Sequence, residues 1–182
     1  SAVITEDLAA VCRNNGYRIG TGFLSTFQLL PSLCDNGQTD TAYKILENEQ
    51  CPGWLYEVDK GATTIWENWL GIDENNIPRD SLNHYAMGSV AAWMYGYCAG
   101  IRPLKPGFQK IQIKPFPGGN LAWVKASYES VQGTILSEWD IKGEVFHVHV
   151  EVPKQIPCEL VLPDGRTKEI RGSGDATCVL KR

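Results

Sequence analysis

The stretch DKGATTIWENWLG, Asp59 to Gly71, places one carboxylate, Glu67, between two tryptophans, Trp66 and Trp69, just after a glycine. A surface glutamate has no need of such neighbours, but a glutamate that handles a sugar does. Glycoside hydrolysis takes two carboxyl groups, one as general acid and one as base or nucleophile. They stand ~6.5–9.5 Å apart where an attacking water must fit between them. Indole faces suit the C–H faces of sugar rings, so Trp-Glu-x-Trp is a plausible sugar site. The plainer alternatives stand beside it. Any tryptophan pair three residues apart can be core, and Glu67 can be an acid in the first turn of a helix, where the dipole favours it. The two indoles cannot easily both face one sugar, so one of them is expected in the core.

The elements that must position these residues read as helices over the first hundred residues. TEDLAAVCRNNG has Thr5 as a cap, acids in its first turn and Gly16 near its end. GFLSTFQLLPSLCDNG is apolar at Phe23, Phe27, Leu30 and Leu33, with Pro31 as a kink point. QTDTAYKIL follows after a short Asp-Asn-Gly link, with Ala42, Ile45 and Leu46 on one stripe, which predicts a helical hairpin. Cys51 to Gly61 reads as non-helical, Thr64–Trp69 as a short helix, and Gly71 to Asp80 as a polar loop. SLNHYAMGSVAAWMYGYCAGI is apolar on nearly every side and predicts one buried helix. Four such helices make no tidy bundle and look like part of something larger.

The character changes at Arg102-Pro103. FQKIQIKP, LAWVKASYES, GTILSEWDI, EVFHVHVEV, CELVLP, KEIRG and ATCVLKR are short alternating runs separated by Pro and Gly, the pattern of a β-sandwich. The expected division is therefore a helical part, 1–101, and an antiparallel β-sandwich, 102–182: an α+β chain of two domains.

The totals narrow the possibilities further. The chain has 182 residues and a net charge of -4, distributed as -7 over residues 1–100 and +3 over 101–182. Neither half carries a basic run of the kind that binds phosphates, so no nucleic-acid partner is expected. No apolar run approaches the ~20 residues of a membrane span, so none is expected there either. Six cysteines at 12, 34, 51, 98, 158 and 178 lack any C-x-x-C spacing and read as buried thiols, with disulfides or metal ligation as the alternatives. Thiols favour a reducing compartment weakly, which leans towards the cytoplasm. The chain opens Ser1-Ala2 without Met, so any leading targeting segment is expected to lie outside it.

GTGFLSTFQLLPSLCDNGQTDTAYKIL, WLYEVDKGATTIWENW and SLNHYAMGSVAAWMYGYCAGI closely resemble the bacterial α-L-rhamnosidases of glycoside hydrolase family 78. PGFQKIQIKPFPGGNLAWVKASYESVQGTILSEW resembles the β-sandwich that follows the catalytic barrel in that family. The resemblance implies an (α/α)6 barrel, represented here by its closing helices, and an inverting mechanism without a cofactor. It implies Glu67 as the general base and His84, of the Asn-His motif, as a residue touching the rhamnose. Trp66 and Trp69 are the accompanying substrate-binding candidates. The family's general acid lies upstream of this chain. The partners so implied are a rhamnoside substrate and the missing N-terminal part of the barrel. Apolar surface left by a partial barrel would favour self-association of the piece alone, which is expected to be inactive.

Other residues have plainer readings. His84 can be a satisfied histidine at a helix start. Trp54 reads as packing, Asp59 and Lys60 as a solvated pair, and His147 and His149 as one half-exposed strand face without a third metal ligand. Trp123, Tyr128 and Trp139 read as sandwich core; as an aromatic platform they would instead make a carbohydrate-binding or structural module. Another (α/α)6 glycosidase is the third possibility.

Overall fold

A computed structural model describes residues 2–180; the Lys181-Arg182 end of the last expected strand lies outside them. The chain forms two compact units, Ser1–Trp93 and Met94–Arg182.

The first unit is helical. Helix α1 (Ala2–Asn14) begins upstream of Thr5, which therefore sits inside the helix and not at its cap. Helix α2 (Thr26–Asp35) runs through Pro31 and buries Thr26, Leu29, Leu30, Leu33 and Cys34. The expected apolar stripe is rotated: Phe23 and Phe27 are about half exposed. The Thr26 hydroxyl turns inward, donating to the Gly22 carbonyl at 2.9 Å. Asn36-Gly37-Gln38 leads into α3 (Thr39–Leu46), which buries Thr41, Ala42, Tyr43 and Ile45.

The next two assignments come out reversed. Residues Trp54–Asp59 form a helix, α4, where a loop was expected. Thr64–Trp69, expected to be helical, is irregular. The β-branched run Thr63-Thr64-Ile65 opposes a helix, while Trp54 and Glu57, three apart, give α4 a buried face. The single helix expected from Ser81 onward is also broken. Its pieces in this unit are α5 (Tyr85–Gly88) and α6 (Val90–Trp93), separated at Gly88-Ser89. A Gly-Ser pair is a common site for such a break. Ala86, Met87, Val90 and Trp93 are buried, but Tyr85, Ala91 and Ala92 are exposed.

The second unit is a β-sandwich preceded by a π-helical turn, Met94–Cys98. One sheet has the order β1 (Ile101–Lys105), β2 (Lys110–Ile113), β6 (Cys158–Val161), β7 (Thr167–Ile170); the other runs β3 (Trp123–Ser130), β4 (Gly133–Lys142), β5 (Val145–Glu151), β8 (Ser173–Val179). Every pairing is antiparallel except β2 with β6, which is parallel. Strand β1 was missed because Pro103 reads as a breaker, yet β1 lies at a sheet edge, where proline is tolerated.

Alternation decides the sandwich core. Ile135, Ser137 and Trp139 of β4 and Phe146, Val148 and Val150 of β5 all point inward. The two polar groups among them are satisfied: Ser137 donates to the Ala99 carbonyl and the Trp139 indole to the Cys98 carbonyl, each at 2.7 Å. Trp139 is therefore core, as expected. Trp123 departs from that expectation at 67% exposed, and Tyr128 is partly exposed. None of the six cysteines forms a disulfide, and five of them are buried. Among the described residues no helix is long and apolar enough to cross a membrane.

Candidate active site

Glu67 and His84 lie on two backbone segments that pair with each other. The Glu67 amide donates to the Ser81 carbonyl and the His84 amide to the Ile65 carbonyl, both at 2.9 Å. The Thr64 hydroxyl closes the same ribbon by donating to the Leu82 carbonyl. Beyond Glu67 the ribbon continues through the Arg79 amide, which donates to the Gly71 carbonyl at 2.7 Å. Its tip is turned by Asp73, whose Oδ1 accepts the amides of Asn75 and Ile77 at 2.8 and 2.9 Å. Seventeen positions apart in the chain, the acid and the imidazole are thus brought to adjoining segments.

The two carboxylate oxygens of Glu67 differ. Oε2 accepts the Ser81 amide at 3.1 Å. Of the two, only Oε2 is hydrogen-bonded among the described residues. Glu67 itself lies outside any helix, so it is not an acid in the first turn of one.

His84 is fixed through its ring. Nδ1 accepts the Ala86 amide at 3.3 Å, so the neutral imidazole carries its proton on Nε2. Phe23 stacks on the ring at 4.6 Å and Tyr85 lies near-parallel to it at 5.1 Å. That arrangement holds the ring plane.

The two tryptophans separate as one core and one flank. Trp66 is 1% exposed. Gly71 is the residue that lets its ring in: a Cβ there would lie 2.8 Å from the Trp66 indole. Trp69 is half-buried, standing edge-on to Trp54 at 5.6 Å. Trp54 is itself core, its indole donating to the Met87 carbonyl at 3.0 Å. Asp59 and Lys60 are both exposed, with Lys60 over the Tyr56 ring.

Sequence reading missed Glu57. It is fully buried, and its Oε2 accepts the Trp66 amide at 3.0 Å. Burial pushes this carboxyl up to about 7, against the pull of the Trp66 amide. The available signal was the i, i+3 pairing with Trp54 on α4. The Phe23 stack left no signal, since its partner lies far along the chain. Among the described residues no cluster of three or more His, Cys, Asp or Glu could hold a metal. His149 instead lies between Asp175 and Glu151, at 2.8 and 3.2 Å.

In sequence order the chain thus joins a helical unit, where Glu67 and His84 lie on paired segments, to a two-sheet unit. The family model for the bacterial alpha-L-rhamnosidase six-hairpin glycosidase domain matches residues 1–98, and that for the bacterial alpha-L-rhamnosidase C-terminal domain matches 100–177. The chain belongs to the bacterial α-L-rhamnosidase family. It is 38% identical over 162 residues to an α-L-rhamnosidase of Streptomyces avermitilis, covering 87% of this chain and 16% of that protein. It is 37% identical over 155 residues to one from Formosa agariphila, covering 83% and 17%. The chain thus spans about a sixth of the length of these curated relatives. Its fold matches the crystal structure of the Aspergillus terreus α-L-rhamnosidase with a TM-score of 0.94 at 31% identity, over 98% of this chain and 22% of that one. It matches the Streptomyces avermitilis α-L-rhamnosidase complexed with L-rhamnose with a TM-score of 0.91 at 31% identity, over 97% and 20%.

Proposed function

We propose that this chain is the C-terminal part of a longer α-L-rhamnosidase that removes terminal α-L-rhamnose with inversion. In this reading residues 1–101 complete the catalytic barrel, 102–182 form the trailing sandwich, and the general acid lies on preceding sequence. Glu67 is the general base: Oε1 takes a proton from the water that attacks the anomeric carbon. His84 donates from Nε2 to a sugar hydroxyl, and Trp69 flanks the ring. Trp66 holds the ribbon from beneath.

The observation that carries this reading is the asymmetry of Glu67. One oxygen is tethered by the Ser81 amide and the other is open, on the segment paired with His84. A general base needs a fixed carboxylate with one free lone-pair edge. The rhamnose-bound state of the Streptomyces avermitilis relative supports rhamnose as the sugar. The rival reading, a binding module working through Trp123 and Trp139, has lost Trp139 to the core.

The test is hydrolysis of an aryl α-L-rhamnoside by the full-length parent and by the 182-residue chain, each with and without Glu67→Gln. The expected result is turnover by the parent alone, reduced about 10²- to 10⁴-fold by the substitution. Turnover by the 182-residue chain would place a second acid within these residues and overturn the assignment.

A further inference from the structure

We propose that Glu57 is a positioning residue for Glu67, acting through the peptide of Trp66; the proposal rests on the general-base reading above. Three observations carry it. Glu57 is 0% exposed on α4, and its Oε2 accepts the amide of Trp66, the residue immediately before Glu67. Its main-chain carbonyl accepts the amides of Lys60 at 3.1 Å and Ala62 at 3.0 Å, so one residue ties the end of α4 to the segment that delivers the base. Its Oε1 is buried with no partner among the described residues. A buried acid with one unpartnered oxygen costs stability, so a structural strut at this position is better made from an amide or an apolar side chain. The acid instead holds the amide of the residue that immediately precedes the proposed base.

The geometry explains how it acts. Glu67 meets Ser81 twice, through its amide and through Oε2. Both contacts depend on where the Trp66–Glu67 peptide sits. Glu57 fixes the amide on one side of Trp66, and the indole packed over Gly71 fixes the side chain. Together they leave the Glu67 carboxylate little room to swing. A misplacement of about 1 Å at such a site costs on the order of 10²-fold in rate. The titratable side chain that senses the Glu57 charge is Cys51, whose thiol burial holds above its ordinary value while Arg18 pulls it down.

The experiment uses the full-length parent with Glu57→Leu, Glu57→Gln and, alongside, Glu67→Gln, measuring kcat and KM on an aryl α-L-rhamnoside from pH 5 to 8. Glu57→Leu is expected to lower kcat about 10- to 100-fold with KM within about two-fold. Glu57→Gln keeps an acceptor for the Trp66 amide and is expected to restore most of kcat, while removing any inflection near pH 7 from the profile. Wild-type kcat in a folded Glu57→Leu enzyme would overturn the proposal. Should the leucine variant not fold, wild-type kcat in a folded Glu57→Ala enzyme would overturn it instead. Loss of activity in Glu67→Gln with no effect of either Glu57 variant would sink this inference alone. Full activity in Glu67→Gln would sink the general-base reading beneath it.

Discussion

In the β-sandwich, β4 and β5 hold their inward residues by simple alternation, and the partners of Trp139 and Ser137 are main-chain carbonyls. In the helical unit, Glu67 and His84 sit on segments with no regular secondary structure, placed by individual bonds from Ser81, Ile65, Asp73 and Glu57. One half is held by repetition and the other by particular contacts. A repeated pattern tolerates a local fault, whereas a site built from single contacts is precise and exposed to each loss. The proposed site belongs to the second kind of structure, on loops positioned by a scaffold.

Several substitutions sharpen or break that contrast. Phe146, fully buried in the sandwich core, should give the largest stability effect: Phe146→Ala is expected to cost about 3–5 kcal/mol in urea unfolding. A cost below about 1 kcal/mol would mean that the core is not packed as described. Glu57 comes next. Its carboxyl is raised from 4.5 to about 7. Below pH 4.5 both folded and unfolded chains are protonated, and the group does not oppose folding. As pH rises from 4.5 through 7 the unfolded chain ionises first, so stability falls by about 3 kcal/mol and then levels off. Unfolding midpoints across that window should show the fall in the native chain and a flatter course in Glu57→Gln.

Gly71→Ala should cost about 1–3 kcal/mol, because the new methyl meets the Trp66 ring at 2.8 Å and the Asn68 carbonyl at 3.0 Å. Thermal unfolding would register it, and an unchanged midpoint would mean that the ring has room to retreat. The smallest effect belongs to the sandwich face. His149 is raised first by its hydrogen bond to Asp175 and then by that to Glu151. Its stabilisation is therefore present below the ordinary histidine value and is lost as pH rises through the raised folded value. The group is about a third exposed, so the contribution should stay under about 1 kcal/mol, and Asp175→Asn should reduce it.

The same contrast decides what could be read from the chain alone. The strands from FQKIQIKP to ATCVLKR were legible because period-two alternation is a local signal. Only the proline-bearing edge strand β1 escaped. The helical hairpin of α2 and α3 was legible from its Asp-Asn-Gly link. The exchange of helix and loop between 51 and 69 was not. There the Cys-Pro-Gly turn masked a six-residue helix, and tertiary pairing with residues 81–84 overrode a weak helical pattern. At the candidate site, Glu67 and His84 were proposed from family motifs. Choosing between Trp66 and Trp69 required the packing against Gly71, and Glu57 required knowing that its partner was a backbone amide nine residues away. Such contacts leave no periodicity.

The most direct test of the central claim is chemical rescue of the full-length parent carrying Glu67→Ala. With an activated aryl α-L-rhamnoside and added azide, the product anomer is read by NMR. The account predicts hydrolysis reduced about 10²- to 10⁴-fold, turnover restored by azide, and a β-configured rhamnosyl azide, because the small anion attacks from the space the base vacated. Hydrolysis at the parent's rate in the Glu67→Ala enzyme, or an α-configured azide, would contradict it.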